Sequence, residues 1–374
     1  MLMAPIVPLS EIHKRRPFFE LPREFNRQGH EGILVAGKIK VLNTNGVKVY
    51  ETGVGTNAQI DIVRAFRKTF KFLCEEKPEI AVFFHMNLLL SFFIALYKFR
   101  GFFSRHRNSY KKTTWVLKLD WDGTKFFEIG NIGMRLRNLF LSYNSLFLDY
   151  IVAESSCAYD ATIHLPLVDK KKVKVIPNSY SSDFPIIKYQ ERVRENIVLC
   201  VARISQEKGI DILVKSFVKV CKNHPDWSLD IVGPVDDDDY FSAIKKGISS
   251  KLKCNINFHG ALFEKDLERK YSKSSIFCLP SNSESFSLAR AEAIASGIPI
   301  ITTVAGCGKE FQNFGSIVVP IGDVEAISSS LERLMTDEQL RIKISECQQS
   351  KFPTYFKIAE EFMKQRLYEP RCIA

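Results

Sequence analysis

The sequence predicts an α/β protein built from two parallel-sheet domains, and three observations predict it. The chain has 374 residues, more than one ordinary core accommodates and well suited to two domains. Short apolar runs alternate with longer amphipathic segments, which is the pattern of parallel α/β folds. That alternation breaks once, at residues 178–195, where prolines, serines and charges read as a linker, and then begins again.

In the first half, residues 33–36, 81–84, 114–119, 150–153 and 173–176 read as buried strands, and residues 60–76 as a helix. In the second half, residues 197–201, 229–232, 256–258, 276–279 and 299–303 read as strands. Residues 210–223 form a helix that HPDW ends. Residues 288–296 form another, with Ser287 placed to cap it and Gly297 placed to stop it. Residues 355–368 form an amphipathic helix beyond the second core. The expected domains are residues 1–180 and 196–352, joined by a linker at 181–195 and followed by a C-terminal segment at 353–374. Two such Rossmann-like domains would face a cleft, with ligands at the carboxyl ends of the strands.

Formal net charge is +11, which favours anionic partners: nucleic acid, acidic lipid or a phosphorylated substrate. Composition alone fits a solvated basic surface equally well. The basic residues sit in no nucleic-acid-binding motif, so nucleic acid is not an expected partner. Nine cysteines include no CxxC pair, so zinc and redox motifs are not indicated. Cys200 and Cys278 lie in apolar runs and read as buried free thiols. The N-terminus, MLMAPIVPLSE, lacks the basic n-region of a signal peptide. The longest apolar run, MNLLLSFFIALY at residues 86–97, is shorter than the roughly 20 residues that span a bilayer. The expected location is the cytoplasm, with peripheral contact at the inner membrane face.

That contact is suggested by residues 80–119, which contain no acidic residue. They carry Lys98, Arg100, Arg105, Arg107, Lys111 and Lys112 among Phe92, Phe93, Phe99, Phe102 and Phe103. A basic and aromatic segment suits an anionic membrane surface. A core helix followed by a solvated loop explains it as well.

The chemistry concentrates in residues 281–303, SNSESFSLARAEAIASGIPIITT. Glu284 precedes the helix and Glu292 lies in its second turn. In a continuous helix, eight positions would part them by about 12 Å. The intervening loop lets Glu284 fold back over the helix N-terminus, itself a ready anion site. Residues 201–209, VARISQEKG, place Arg203 and Lys208 at the carboxyl end of a strand. Two cations beside a helix N-terminus suit a diphosphate.

These residues carry a resemblance. VARISQEKGIDILVKSF is similar to the "GR…KG…LL.AF" segment of family 4 glycosyltransferases, and ESFSLARAEAIASGIPIIT to their E-x7-E block. LDIVG and NINFHGALFEKDLERKYSKSSIFCLPS match between them in order and spacing. The resemblance implies the GT-B fold, two Rossmann-like domains facing a cleft, with a C-terminal helix crossing back to the N-terminal domain. It implies that Arg203 and Lys208 bind the donor diphosphate, Glu284 the sugar hydroxyls and Glu292 the ribose. Ser287 and Leu288 would offer amides to phosphate, and Phe286, Gly260 and Ala261 complete the donor set. Ser285 and Ser287 stand where the family has glycine.

The first half matches less closely, through FFELPREFNRQGHEGILVA, EIAVFFH, DYIVAESS and VKVIPNS, with Asn178 in the family's asparagine position. No glycine precedes Gly29, and Lys14, Arg15 and Arg16 replace the usual Gly-rich loop. Asp120 stands where the family has a histidine, and is the candidate base or positioning group for the acceptor. His85, Lys14 and Arg15 are candidate acceptor contacts, and His30 reads as structural.

The function implied is a retaining, metal-independent glycosyltransferase. It would use a UDP- or GDP-sugar as donor, a saccharide or lipid-linked acceptor, and no cofactor. The competing readings are a nucleotide-sugar epimerase or sugar phosphorylase, and a non-catalytic binding protein for nucleotide sugar or nucleic acid. A dinucleotide oxidoreductase is disfavoured because no GxGxxG follows a strand. The run DDDD at residues 236–239 reads as a solvated loop, and Asp120-Trp121-Asp122 as ligand contact rather than a metal motif.

Overall fold

The computed structural model describes residues 2–4, 9–10, 17–36, 39–40, 44, 46–52, 58–84, 90–102, 113–119, 132–248 and 255–367. The chain divides into two compact units, Met1–Ser182 together with Thr354–Ala374, and Asp183–Pro353.

Unit 1 contains strands β1 (Leu2–Ala4), β2 (Leu9–Ser10), β3 (Ile33–Ala36), β4 (Ile39–Lys40), β5 (Lys48–Glu51), β6 (Ile80–Phe84), β7 (Thr114–Lys118), β8 (Tyr150–Ala153) and β9 (Val173–Val175). Seven of them form a parallel sheet in the order β5-β3-β1-β6-β7-β8-β9. Its helices are α1 (Pro17–Arg27), α2 (Ala58–Glu76), α3 (Leu90–Phe102), α4 (Ile132–Ser145) and α5 (Ser156–Ile163). The continuous apolar runs follow from burial on both faces, as parallel sheets require. Successive residues point to opposite faces. Val35, Phe83, Trp115, Leu117 and Ile151 feed one core, while Leu34, Val82, Val116 and Val152 feed the other. The second core is completed by Phe18, Phe19 and Phe25 of α1 and by Tyr355, Ile358, Ala359 and Phe362 of the C-terminal helix Tyr355–Leu367. The C-terminal helix therefore packs as a core element of unit 1.

Strand β1 escapes sequence reading because three apolar residues are too few to show a period. It nonetheless lies inside the sheet, paired with both β3 and β6. His30 is structural: its ring meets Phe25 edge-on, with centroids 6.2 Å apart, and its amide donates to the Phe25 carbonyl. At the carboxyl ends of β7 and β8, Lys118 and Glu154 form a fully buried ion pair at 2.7 Å.

Unit 2 contains β10 (Glu195–Val201), β11 (Ser228–Val232), β12 (Asn255–Phe258), β13 (Ser274–Leu279), β14 (Ile300–Thr303) and β15 (Ile317–Val319). They form a parallel sheet in the order β12-β11-β10-β13-β14-β15. The helices are α6 (Ile210–Val220), α7 (Asp238–Gly247), α8 (Glu264–Lys273), α9 (Leu288–Ala295), α10 (Gly308–Asn313), α11 (Val324–Thr336) and α12 (Glu338–Lys351). From β10 the chain builds outward to one edge, then returns to β13 and builds to the other. The strand order therefore reverses between β10 and β13, and that switch point is where open α/β sheets bind ligands.

Residues 183–195, read from the sequence as a linker, are part of unit 2. Phe184, Ile187 and Tyr189 are buried, and Ile187 N–H donates to the Ala295 carbonyl. Arg194 clips five carbonyls, of Tyr189, Tyr271, Ser272, Ser274 and Ser296, and burial lowers its pKa to about 10. The prolines and charges signalled irregular backbone, which sequence alone does not separate from a free tether. Among the described residues, no helix is long and apolar enough to cross a membrane.

Candidate functional site

The site assembles where β10 and β13 end side by side. Beyond β10, residues 206–208 form a short 3-10 turn that carries Lys208 inward. Beyond β13, residues 281–287 loop over to the start of α9. The Glu207 carbonyl accepts from the amides of Asn282 and Ser283, and Asn282 Nδ2 donates to the Gln206 carbonyl at 2.7 Å. These bonds lock the turn to the loop. Lys208 Nζ then donates to Glu284 Oε2 at 3.0 Å, with both side chains about nine-tenths buried. Ser281 Oγ lies 3.4 Å from the same carboxylate oxygen.

The loop is also fixed from behind. Gly306, at φ +54, presses against it so closely that a Cβ would lie 1.5 Å from the Glu284 carbonyl oxygen. Arg290, only 1% exposed, donates Nη2 to the Phe286 carbonyl at 3.0 Å and Nη1 to Thr302 Oγ1 at 3.1 Å. Its guanidinium stacks 4.5 Å from the Phe311 ring centroid, and Phe286 is buried against Phe311 and Phe352. Arg290 escaped sequence reading. Its only signal is a lone cation within the apolar helix LARAEAIA, where the charge must find partners once buried.

Ser287 holds the N-cap position of α9, but its side chain makes no cap hydrogen bond, which corrects the expected cap. Its backbone sits at φ 64, ψ 96, a region that favours glycine. The conformation turns the chain so that the loop meets the helix end. The first amides of α9 have no intrahelical acceptor and face the site with the positive end of the helix dipole. Gly297 stops the helix as expected, at φ +70.

Glu292 lies further along α9, buried, with Oε2 3.0 Å from the Tyr271 hydroxyl. Tyr271 was not foreseen, since a tyrosine within RKYSK reads as an ordinary helix residue. Arg203 is half-exposed and pairs with Asp236, and its Nη2 lies 3.6 Å from Glu207 Oε2. Gly260 and Ala261 lie on an exposed turn after β12, where the Gly260 carbonyl accepts from Gly233 N–H at 2.8 Å. Thus Lys208 and Glu284 meet directly, Glu207 lies 3.6 Å from both Lys208 and Arg203, and Glu292 and Gly260 hold separate partners around them.

The run DDDD is exposed as expected, but only Asp236 and Asp237 are loop, and Asp238 begins α7. Asp236 pairs with Arg203, Asp237 caps α7 by accepting from Tyr240 N–H at 2.9 Å, and Asp238 and Asp239 occupy the first turn, where acids complement the dipole. Burial pushes the Cys200 thiol on β10 up to about 12, although Lys208 pulls the other way, so Cys200 stays protonated and is not a nucleophile. Asp120, His85, Lys14 and Arg15 lie outside the described residues, as do Arg105, Arg107, Lys111 and Lys112.

Residues 183–351 match the family described as glycosyl transferases group 1. An uncharacterized glycosyltransferase of Haemophilus influenzae is 27% identical over 159 residues, covering 41% of this chain and 44% of that protein. One subunit of the Homo sapiens phosphatidylinositol N-acetylglucosaminyltransferase is 21% identical over 322 residues, covering 84% of this chain and 64% of that protein. The match thus spans under two thirds of either relative's length. The crystal structure of Anabaena HepE in complex with UDP-glucose superposes with a TM-score of 0.67 at 14% identity, covering 98% of this chain and 99% of that one. Residues 183–351 are thus similar to the glycosyl transferases group 1 family, and the chain shares its overall two-domain α/β fold with HepE.

Proposed function

We propose that the protein is a retaining, metal-independent transferase that moves a sugar from a UDP- or GDP-sugar to a saccharide or lipid-linked acceptor. The observation that carries this reading is the buried Lys208–Glu284 pair at the switch point of a domain that matches the group 1 family. The bond from the anomeric carbon to the diphosphate breaks, and the nucleoside diphosphate departs with the electron pair. The acceptor oxygen forms the new bond on the same face and gives up its proton. Lys208 and the α9 amides stabilise the charge that grows on the leaving phosphate. Arg203, half-exposed and held only by surface carboxylates, has the freedom to turn toward that phosphate.

Glu284 accepts hydrogen bonds from hydroxyls of the transferred sugar. Glu292, oriented by Tyr271, accepts from the ribose. Phe286, Ser287 and Leu288 form the wall and amides around the diphosphate, with Gly260 and Ala261 beside the base. On the acceptor side, Asp120 takes the hydroxyl proton or positions that hydroxyl, and His85, Lys14 and Arg15 contact the acceptor. Support for a uridine donor comes from the solved neighbour HepE, whose complex holds UDP-glucose.

The test is product analysis by mass spectrometry and NMR after incubation with UDP- and GDP-sugars and candidate acceptors. A free nucleoside diphosphate plus a glycoside of unchanged anomeric configuration, formed in the presence of a chelator, is expected. An isomerised nucleotide sugar would establish an epimerase instead, and a free sugar phosphate a phosphorylase.

A further inference from the structure

The two cations proposed to hold the donor diphosphate are already answered by carboxylates. Glu207 stands between them: its Oε2 lies 3.6 Å from Arg203 Nη2 and its Oε1 3.6 Å from Lys208 Nζ. Each cation thus faces one oxygen of a single carboxylate, an arrangement that a phosphate group could take over. Asp236 takes the other amino group of Arg203, with Oδ2 2.5 Å from Nη1. Glu284 takes Lys208 at 3.0 Å. Two cations therefore meet three carboxylates, and the cluster is net negative before any anion arrives.

The three carboxylates are not alike. Glu284 is about nine-tenths buried and held by Lys208 and Ser281. The side chains of Glu207, Asp236 and Arg203 are 40, 45 and 49% exposed. Exposed ion pairs are weak and screened by salt, so these side chains exchange partners readily. Their backbones do not move with them. The Glu207 carbonyl accepts from the amides of Asn282 and Ser283, and Asp236 N–H donates to the carbonyl of Ile204, the residue after Arg203, at 3.2 Å. Both acids are therefore tethered beside the cations while their carboxylates can turn away. A tethered group acts at high effective concentration, so each competes with any dissolved anion and never diffuses off.

We propose that Glu207 and Asp236 are resident counter-ions, which the donor diphosphate displaces and which retake Arg203 and Lys208 as the nucleoside diphosphate leaves. The inference rests on the reading that these two cations bind the diphosphate. Resident carboxylates lower affinity, because each contact made to phosphate replaces one made to carboxylate and only the surplus appears as binding. They also quicken release. The product exposes a terminal phosphate that the sugar had esterified, so it carries more negative charge than the donor and would cling harder to two bare cations. A carboxylate waiting beside each cation limits that product inhibition.

The test is calorimetric titration of the full chain with UDP and with GDP, with dissociation followed by stopped-flow displacement. Asp236→Asn should tighten binding of the preferred nucleotide by about threefold, and Glu207→Gln by about as much, the scale of one exposed ion pair each. Dissociation should slow, and affinity should fall more steeply with salt. Asp239→Asn is the control: it removes the same charge from an exposed acid in the first turn of α7 and should change affinity little. In an Arg203→Ala background the gain from Asp236→Asn should vanish. Unchanged or weaker binding in either Asp236→Asn or Glu207→Gln overturns the proposal. An equal gain from Asp239→Asn, or an Asp236→Asn gain that survives Arg203→Ala, reduces the effect to general charge and also overturns it. If neither nucleotide binds, or if Arg203→Ala and Lys208→Ala leave binding unchanged, the diphosphate reading falls and takes the proposal with it. If those two variants weaken binding while the acid variants fail to strengthen it, the reading stands and the proposal alone falls.

Discussion

Lys208 Nζ donates to Glu284 Oε2 at 3.0 Å, joining two chain segments that leave neighbouring strands on either side of the switch point. A single lysine thus holds in place the carboxylate proposed to bind the sugar, and it is also the proposed phosphate contact. Lys208→Ala should lower kcat/KM by about 100-fold or more, the scale for removing one preorganised donor at a site of developing charge. Glu284→Gln keeps the shape but halves the accepting capacity, and should fall mainly in kcat. Steady-state kinetics with the donor varied separates the two.

Ser287 carries a side chain where the backbone favours glycine, at φ 64. Ser287→Gly should stabilise unit 2 by about 1 kcal/mol, the scale of a relieved backbone outlier. For a domain of this size that is roughly 2–4 °C in melting temperature by calorimetry. A fall in melting temperature would show that the serine side chain contributes more than its backbone strain costs.

Gly306→Ala should be severe, because the new Cβ would meet the Glu284 carbonyl oxygen at 1.5 Å. The loop bearing Glu284 must move, so donor affinity and melting temperature should both drop. Gly322→Ala is the control: it too has positive φ, at +75, but meets nothing within 4 Å, so only the backbone cost of about 1 kcal/mol applies. Similar losses in both variants, seen by thermal denaturation, would contradict the steric argument.

Asp230 adds a pH dependence. Burial pushes its carboxyl upward, but hydrogen bonds from Lys270, Asn257 and His259 outweigh that and hold it below the usual range. A depressed folded pKa contributes stability that is present above the unfolded value of about 3.9 and lost as pH falls through the folded pKa. The melting-temperature gap between wild type and Asp230→Asn should therefore be full near neutrality and shrink below about pH 4. A gap that stays constant down to that range would exclude the linkage.

Sequence alone made the second half legible because its candidate residues follow clear strand signals, although Lys208 and Glu284 stand 76 positions apart. Lys208 and Glu284 each follow a short apolar run that ends in a turn, and the strand order brings those two ends together. Arg290, Tyr271 and Gly306 were not legible, since their roles arise from contacts made only on folding: a buried guanidinium over Phe311, a hydroxyl at Glu292, a glycine against the Glu284 backbone. Helix α4 was missed for a related reason. Its exposed Leu136, Leu139 and Tyr143 have the spacing of a core-facing helix, and periodicity does not say which face meets water. The linker at residues 181–195 was misread because irregular backbone can pack as firmly as a helix, as Ile187, Tyr189 and Arg194 do.

The most direct measurement is equilibrium binding of UDP- and GDP-sugars, by calorimetric titration, to wild type and to Lys208→Ala of confirmed fold. One nucleoside diphosphate sugar should bind wild type and lose about tenfold or more in the variant, as expected when a charged hydrogen-bond donor to phosphate is removed. If no nucleoside diphosphate sugar binds, or if one binds both proteins equally, the assignment of Lys208 and Glu284 to the donor is contradicted.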